Sequence, residues 1–215
     1  ILFILFIHLL FFKVHLLILF IMPRIFNRNF KMLNSSNNLK FIAATSPKNR
    51  HSISSNLPSI KFHNVHGENI RLSADGKEAK RVQSFSNGII FSNRPIQLNE
   101  RICIKFSELS LSWSGAIRFG FTGNNPNTYR NGLPKYACPD LTNKPGNWAK
   151  ALGERFWALI HPDSTLFYYV NNQGEVHFGI DGEEKGVFFV GVDTKSPLWA
   201  LIDVYGNTVA INLVG

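Results

Sequence analysis

"LFYYV NNQG EVHFGI DGEEKG VFFVGV", residues 166–192, sets three short apolar runs between two turn signals. Each run has five or six residues rich in Phe, Tyr, Val and Ile, and none carries apolar residues at i, i+3, i+4 and i+7. Runs of that length bounded by Asn, Gly and Asp read as strands, and three in succession predict an antiparallel meander. The pattern extends outward from there. In "RICIKF" (101–106) Ile102, Ile104 and Phe106 share one face, with Arg101, Cys103 and Lys105 on the other. "AIRFGF" (116–121) does the same with Ile117, Phe119 and Phe121. "LWALIDVY", Gly206-Asn207 and "TVAINLV" (198–214) predict a closing hairpin on a type II′ turn, which favours Gly first. "WAKALGERFWALI" (148–160) comes nearest to a helix, but Gly153 and the bulky residues after it predict a short turn leading into a strand. The fold class is therefore all-β, an antiparallel β-sandwich.

The sequence has 215 residues, 45% of them apolar, with a formal charge of +9. Residues 1–60 carry seven cations and no acid, so only +2 belongs to the rest. The basic character sits in the leading segment, which removes nucleic acid as a partner of the domain. Residues 1–21 have 18 apolar positions, broken by His8, Lys13 and His15. That composition reads as a membrane span or as a translation artefact. The first methionine is Met22 and the segment is crowded with residues of A/T-rich codons, so the artefact is the favoured expectation. Residues 22–60, polar and basic without periodicity, read as a disordered linker, with an anionic membrane surface as the alternative contact. Residues 1–60 as a whole are expected to be dispensable for folding of the domain from 61 to 215.

Catalytic chemistry is hard to find. Cys103 and Cys138 make no disulfide framework and no CxxC pair, so they suit a reducing compartment, and no zinc ribbon or RING can be built from them. His63 and His66 in "FHNVHG" lie three apart, which on a strand puts them on opposite faces; a Gly67 turn explains them better than a metal. Cys138 with His161 or His177 is the one nucleophile–base combination. Asp140 nearby disfavours its thiolate, and a small buried side chain at a loop root is the better reading. No cofactor is implied. What stands out is the 26-residue loop between Phe121 and Trp148, dense in Asn, Pro and Gly and carrying Tyr129, Arg130, Lys135 and Tyr136. Loops of that length in compact domains are usually functional. Tyr136 and Trp148 equally well staple the loop onto the sheet.

Six ordered blocks resemble a known family. "FHNVHGENIRLS", "GIIFSNRPI", "WSGAIRFGFT", "LPKYACPDL", "WAKAL" and "PLWALIDVYGNT" are similar to the signature of the neuralized homology repeat of Neuralized-type E3 ubiquitin ligases, most of all to the first such repeat. The resemblance runs from about Lys61 to Leu213. It implies a SPRY- and concanavalin-like jelly-roll sandwich and a peptide-binding role. Such domains recognise Asn-containing motifs in cytoplasmic tails of Delta-type Notch ligands, or in Bearded-type inhibitors, ahead of ubiquitination and endocytosis. It also implies a cytoplasmic location, at the plasma membrane or endosomes. The family's catalytic RING is not in this sequence, so no ubiquitin transfer is expected from the chain alone. A concanavalin-like lectin is the competing reading.

Loops at one end of the sandwich are expected to form the groove. By position the candidates are Asn69 and Asp75 from the first turns, Arg94 after "GIIFS", and Tyr136, Trp148 and Lys150 from the long loop. Asp193 and Thr194 of "GVDTK" complete the set. An asparagine in a ligand offers a carbonyl and an amide NH₂ together, so its site needs a donor and an acceptor. Arg94 or Lys150 would donate; Asn69, Asp75 or Asp193 would accept.

Overall fold

The structure is a computed structural model, and it describes residues 57–215. The expectations for residues 1–56 lie outside the described residues. Among these, no helix is long and apolar enough to cross a membrane. Eleven strands form two sheets. They are β1 (Ile70–Leu72), β2 (Glu78–Arg81), β3 (Ile89–Phe91), β4 (Ile102–Leu109), β5 (Arg118–Thr122) and β6 (Asn147–Ala151). The rest are β7 (Thr165–Val170), β8 (Val176–Ile180), β9 (Glu183–Phe189), β10 (Trp199–Asp203) and β11 (Thr208–Leu213). The seven-stranded sheet runs β1-β2-β11-β4-β7-β8-β9 and the four-stranded sheet β3-β10-β5-β6, with every pair antiparallel. This is the all-β sandwich that the alternation predicts.

The period-two pattern places the core between the sheets. Ile102, Ile104 and Phe106 of β4 are buried there, as are Phe119 and Phe121 of β5. Phe119 stacks on Phe188 at 4.4 Å and packs against Tyr168 at 4.9 Å, joining strands of both sheets. Burying each such side chain contributes about 1.5–3 kcal/mol. Gly120, between the two phenylalanines, allows β6 to approach: a Cβ there would lie 2.0 Å from the Trp148 carbonyl oxygen.

A second apolar layer lies on the outer face of the four-stranded sheet. Ile89, Phe91 and Leu201 point outward and are covered by Ala137 and Leu141, with Tyr129, Leu133 and Cys138 packed around them. Tyr129 lies flat on Phe91, with ring centres 5.5 Å apart and planes 4° from parallel. The covering segment is the long loop. It holds a 3-10 turn at Pro126–Tyr129 and a single wide helical turn at Ala137–Leu141 that follows a β-conformation Tyr136. This explains why all three residues of β3 are buried: Ile90 faces the inner core and its neighbours the outer one.

Three local expectations are corrected. First, "LWALIDVY" and "TVAINLV" do not pair: β10 belongs to the small sheet and β11 to the large one. The turn at Gly206-Asn207 does form, with the Thr208 N–H donating to the Tyr205 carbonyl at 3.1 Å. The flanking peptides pair elsewhere, however. Val204 donates to Gly88, Gly206 to Phe85 and Asn207 to Gly115, which turns the segment into an arch between sheets. Second, only Asp181 and Gly182 separate β8 from β9, because "EEKG" continues as strand through two register shifts. Third, the strand in "WAKALGERFWALI" precedes Gly153 rather than following it. Residues 147–151 are β6, paired to β5, and Glu154–Trp157 form a short helix, α1.

Candidate functional site

The arch end of the sandwich is organised by two buried charges. Arg81, at the end of β2, is buried and donates to the carbonyls of Val204 (2.9 Å), Gly206 and Thr208 (2.9 Å). Those three acceptors fix the arch; burial pulls the Arg81 pKa down, with Asp203 opposing. Asp203, at the end of β10, is fully buried. Its Oδ2 accepts from the Ala137 N–H at 2.9 Å and from Arg118 Nη1 at 3.2 Å, while Oδ1 has no partner. Burial pushes the Asp203 pKa up, partly offset by the Ala137 N–H and by Arg118. One carboxylate thus pins the long loop and aims a guanidinium.

That guanidinium lies 3.5 Å over the Tyr205 ring and 5.5 Å from the Tyr136 ring. Tyr136 and Tyr205 meet edge to face at 6.0 Å, and Phe85 joins both at 6.5 and 5.9 Å. Trp113 closes the group on Phe85 at 5.3 Å, and the Lys135 ammonium stands 5.4 Å from Phe85 and 5.2 Å from Tyr136. Four turns supply these rings, so the cluster exists only when the fold does. Its rim is open: Trp113 is 43%, Val82 48% and Leu111 99% exposed. Exposed aromatic anchors beside cations on rigid elements are what recognition surfaces are made of.

A polar cleft of about 400 Å³ adjoins the cluster, lined among others by Asn64, Glu68, Asn87, Arg130 and Asn131. The two are joined through Asn87, whose N–H donates to the Lys135 carbonyl at 3.0 Å. The cleft therefore presents carboxylate, amide and guanidinium groups within one concavity. His63 is pulled below its ordinary pKa by burial and by the charge of Arg130. It accepts from the Val65 N–H at 2.9 Å, and His66 bonds the Gly67 carbonyl oxygen at 3.0 Å, so both histidines serve the turn. Among the described residues no group of three His, Cys, Asp or Glu is placed to hold a metal ion. Cys138 donates to the Ala149 carbonyl at 3.2 Å and burial pushes its thiol pKa up, the direction opposite to that of an activated nucleophile.

The eight residues singled out from sequence do not share one end. Asn69 and Tyr136 are at the arch. Asn69 is buried and donates to the Ser86 carbonyl at 2.9 Å while accepting from Gln83 at 3.0 Å, which shapes the Phe85 turn from beneath. Asp75, Arg94, Asp193 and Thr194 lie at the opposite end by strand register. Asp75 closes its own turn with Ser73 and Lys77. Arg94 is committed to Glu100 at 2.6 Å and to the Pro58 and Pro95 carbonyls, and Asp193 accepts from the Lys195 N–H. Trp148 and Lys150 are not in the loop but on β6, Trp148 packed on the main core and Lys150 reaching the Phe188 carbonyl at 3.3 Å. Phe85, Trp113, Tyr205 and Glu68 escaped the sequence reading. For the three aromatics the signal was a lone ring inside a polar turn, in "SFSN", "SWSG" and "YGN"; Glu68 had none.

Comparison with known proteins gives this sandwich its family. A family model described as Neuralized matches residues 62–215, and the chain belongs to that family. It is similar to protein neuralized of Drosophila melanogaster, 56% identical over 159 residues, covering 74% of this chain and 21% of that protein. It is also similar to the E3 ubiquitin-protein ligase NEURL1B of Homo sapiens, 42% identical over 156 residues, covering 72% of this chain and 28% of that protein. Among solved structures, the crystal structure of the Drosophila melanogaster Neuralized NHR1 domain matches with a TM-score of 0.70 at 55% identity, covering 74% of this chain and 99% of that one. The chain thus spans about a quarter of the length of these two curated relatives.

Proposed function

We propose that residues 61–215 are the peptide-binding, substrate-recognition module of an E3 ubiquitin ligase. The observation that carries this reading is the open aromatic–cation cluster, held by buried Asp203 and Arg81 and set beside a polar cleft. An extended peptide would place an apolar side chain against Trp113 and Phe85 and an asparagine in the cleft. There Arg130 donates to the asparagine carbonyl and Glu68 accepts from its NH₂, satisfying both halves of the amide. The ligand class is an Asn-containing motif in the cytoplasmic tail of a Delta-type Notch ligand, or in a Bearded-type inhibitor. Binding would select the ligand for ubiquitination and endocytosis at the cytoplasmic side of the plasma membrane or endosomes, with the basic segment before the domain resting on anionic lipid. Family membership and the names of the relatives support the ligase context.

Titration calorimetry tests it with a synthetic Delta-type tail peptide containing two spaced asparagines. Micromolar affinity is expected, since a short flexible peptide gives up ordering entropy on binding. Replacing its asparagines with alanine should abolish binding, because the cleft's polar groups lose their partners on desolvation. Trp113→Ala should weaken affinity by about 2 kcal/mol, roughly thirtyfold, with melting little changed because the ring is half exposed. Unchanged affinity in Trp113→Ala and in Glu68→Ala would move the site away from the arch end.

A further inference from the structure

The facing edges of the two sheets frame a second cleft. β6 is the outer strand of the four-stranded sheet and β9 of the seven-stranded one. About 310 Å³ opens beside them and α1, lined by Lys150, Arg155, Phe156, Lys185, Val187 and Phe188 among others. Its floor is aromatic: Phe156 meets Phe178 edge to face at 4.9 Å, and Phe178 packs on Phe188 at 5.1 Å. Its walls are cationic. The Lys150 ammonium stands 5.5 Å from the Phe188 ring, and the Arg155 guanidinium lies 4.4 Å over Phe156.

No carboxylate lines this cleft. Lys185 pairs with Glu183 at 2.8 Å, and Glu154 is the neighbour of Arg155 in α1, so some negative charge lies close by. Among the described residues, though, Lys150 and Arg155 make no ion pair. A lysine on an edge strand discourages unwanted strand addition by itself. Three cations converging on an aromatic floor, next to a half-exposed Val187, go beyond that role.

We propose that this cleft binds an extended acidic peptide segment in which carboxylate residues flank an aromatic or aliphatic one. The carboxylates meet Lys150 and Arg155, and the apolar side chain lies on Phe156 and Val187. Charge selects this occupant over the nearest alternatives. Residues 1–60 carry seven cations and no acid, so the chain's own leading segment has no carboxylate to offer this cleft. A second copy docking cleft to cleft would set the same cations against each other. A single-stranded nucleic acid would need open ring faces on which to stack its bases, and Phe178 and Phe188 are only 1% and 8% exposed; an anionic lipid headgroup supplies charge but no side chain for the floor.

The test is fluorescence anisotropy of the chain with a labelled Glu-Phe-Glu-Leu-Asp-Glu peptide. Its lysine-substituted counterpart, a single-stranded RNA octamer and vesicles containing anionic lipid serve as competitors. Saturable binding of the acidic peptide is expected, weakening as salt shortens the screening length. The double variant Lys150→Glu/Arg155→Glu should weaken it at least about tenfold, roughly 1.4 kcal/mol. Both side chains are at the surface, and Lys150→Gln/Arg155→Gln should give a smaller loss in the same direction. Absence of saturable binding, equal affinity in both double variants and the parent, or displacement by RNA or vesicles but not by unlabelled acidic peptide would overturn the proposal.

Discussion

Replacing Asp203 tests the way the arch end is held together. Asp203→Ala removes the acceptor of the Ala137 N–H and the counter-charge of Arg118 in one step. An orphaned buried N–H costs about 1–3 kcal/mol, and breaking a buried ion pair from one side costs about 3–5 kcal/mol. Opposing these is the cost of burying the carboxylate itself, evident in its raised pKa. A net loss of about 3 kcal/mol follows. With a urea slope of about 2 kcal/mol/M, the unfolding midpoint should fall by about 1.5 M. Asp203→Asn keeps an oxygen where Oδ2 stands, and its NH₂ takes the place of the unpartnered Oδ1, so its loss should be near 1 kcal/mol. The pH dependence carries a definite sign. A folded pKa raised above the unfolded 3.8 means that the native state holds this proton more tightly. The corresponding stability is fully present below the unfolded value and is lost as pH rises through the raised folded value. The asparagine variant should lack that acidic-range slope. Urea unfolding followed by tryptophan fluorescence at several pH values reads all of this. A midpoint shift below about 0.5 M for the alanine variant, or an asparagine variant as unstable as alanine, would refute the reasoning.

Two further outcomes follow from the packing. Gly120→Ala should destabilise by about 1–3 kcal/mol, since its Cβ would collide with the Trp148 carbonyl and part β5 from β6; an unchanged thermal midpoint would contradict that approach. Trp148→Ala should lower stability by about 2 kcal/mol, less than a fully buried tryptophan, because the ring is only partly covered. Its peptide affinity, measured where the variant is folded, should stay within about twofold of the parent's, and a thirtyfold loss would return Trp148 to the binding surface.

The strands were legible because a half-buried strand writes its buried face into every second residue, as Ile102, Ile104 and Phe106 do. The pairing of β10 with β11 was misread for the same reason. Periodicity states which side of a strand is covered, not which neighbour covers it, and the Gly206-Asn207 turn is local chemistry that serves an arch as well as a hairpin. The run of Ile89, Ile90 and Phe91 is buried on both sides, and nothing local to it names the second cover, which comes from Ala137 and Leu141 some 46 or more residues on. Tyr136 could be found from its unusual loop. Phe85, Trp113 and Tyr205 could not be joined to it, because their closeness depends on Arg81 fixing the arch, on Asp203 tying Ala137 to it, and on the Gly206 N–H and Asn207 side chain holding the Phe85 and Trp113 turns.

The long loop is anchored like a strand and displayed like a turn. Ala137 and Leu141 are buried on the small sheet with Tyr129 and Leu133 packed beside them, while Arg130, Asn131 and Gly132, together with Tyr129 and Leu133 themselves, border the cleft. Sequence drift at Arg130, Asn131 and Gly132 therefore leaves Ala137 and Leu141, which hold the loop on the sheet, untouched. If the cleft holds the ligand as proposed, rewriting those few residues would exchange one ligand motif for another on the same sandwich. Specificity would then be free to diverge faster than stability.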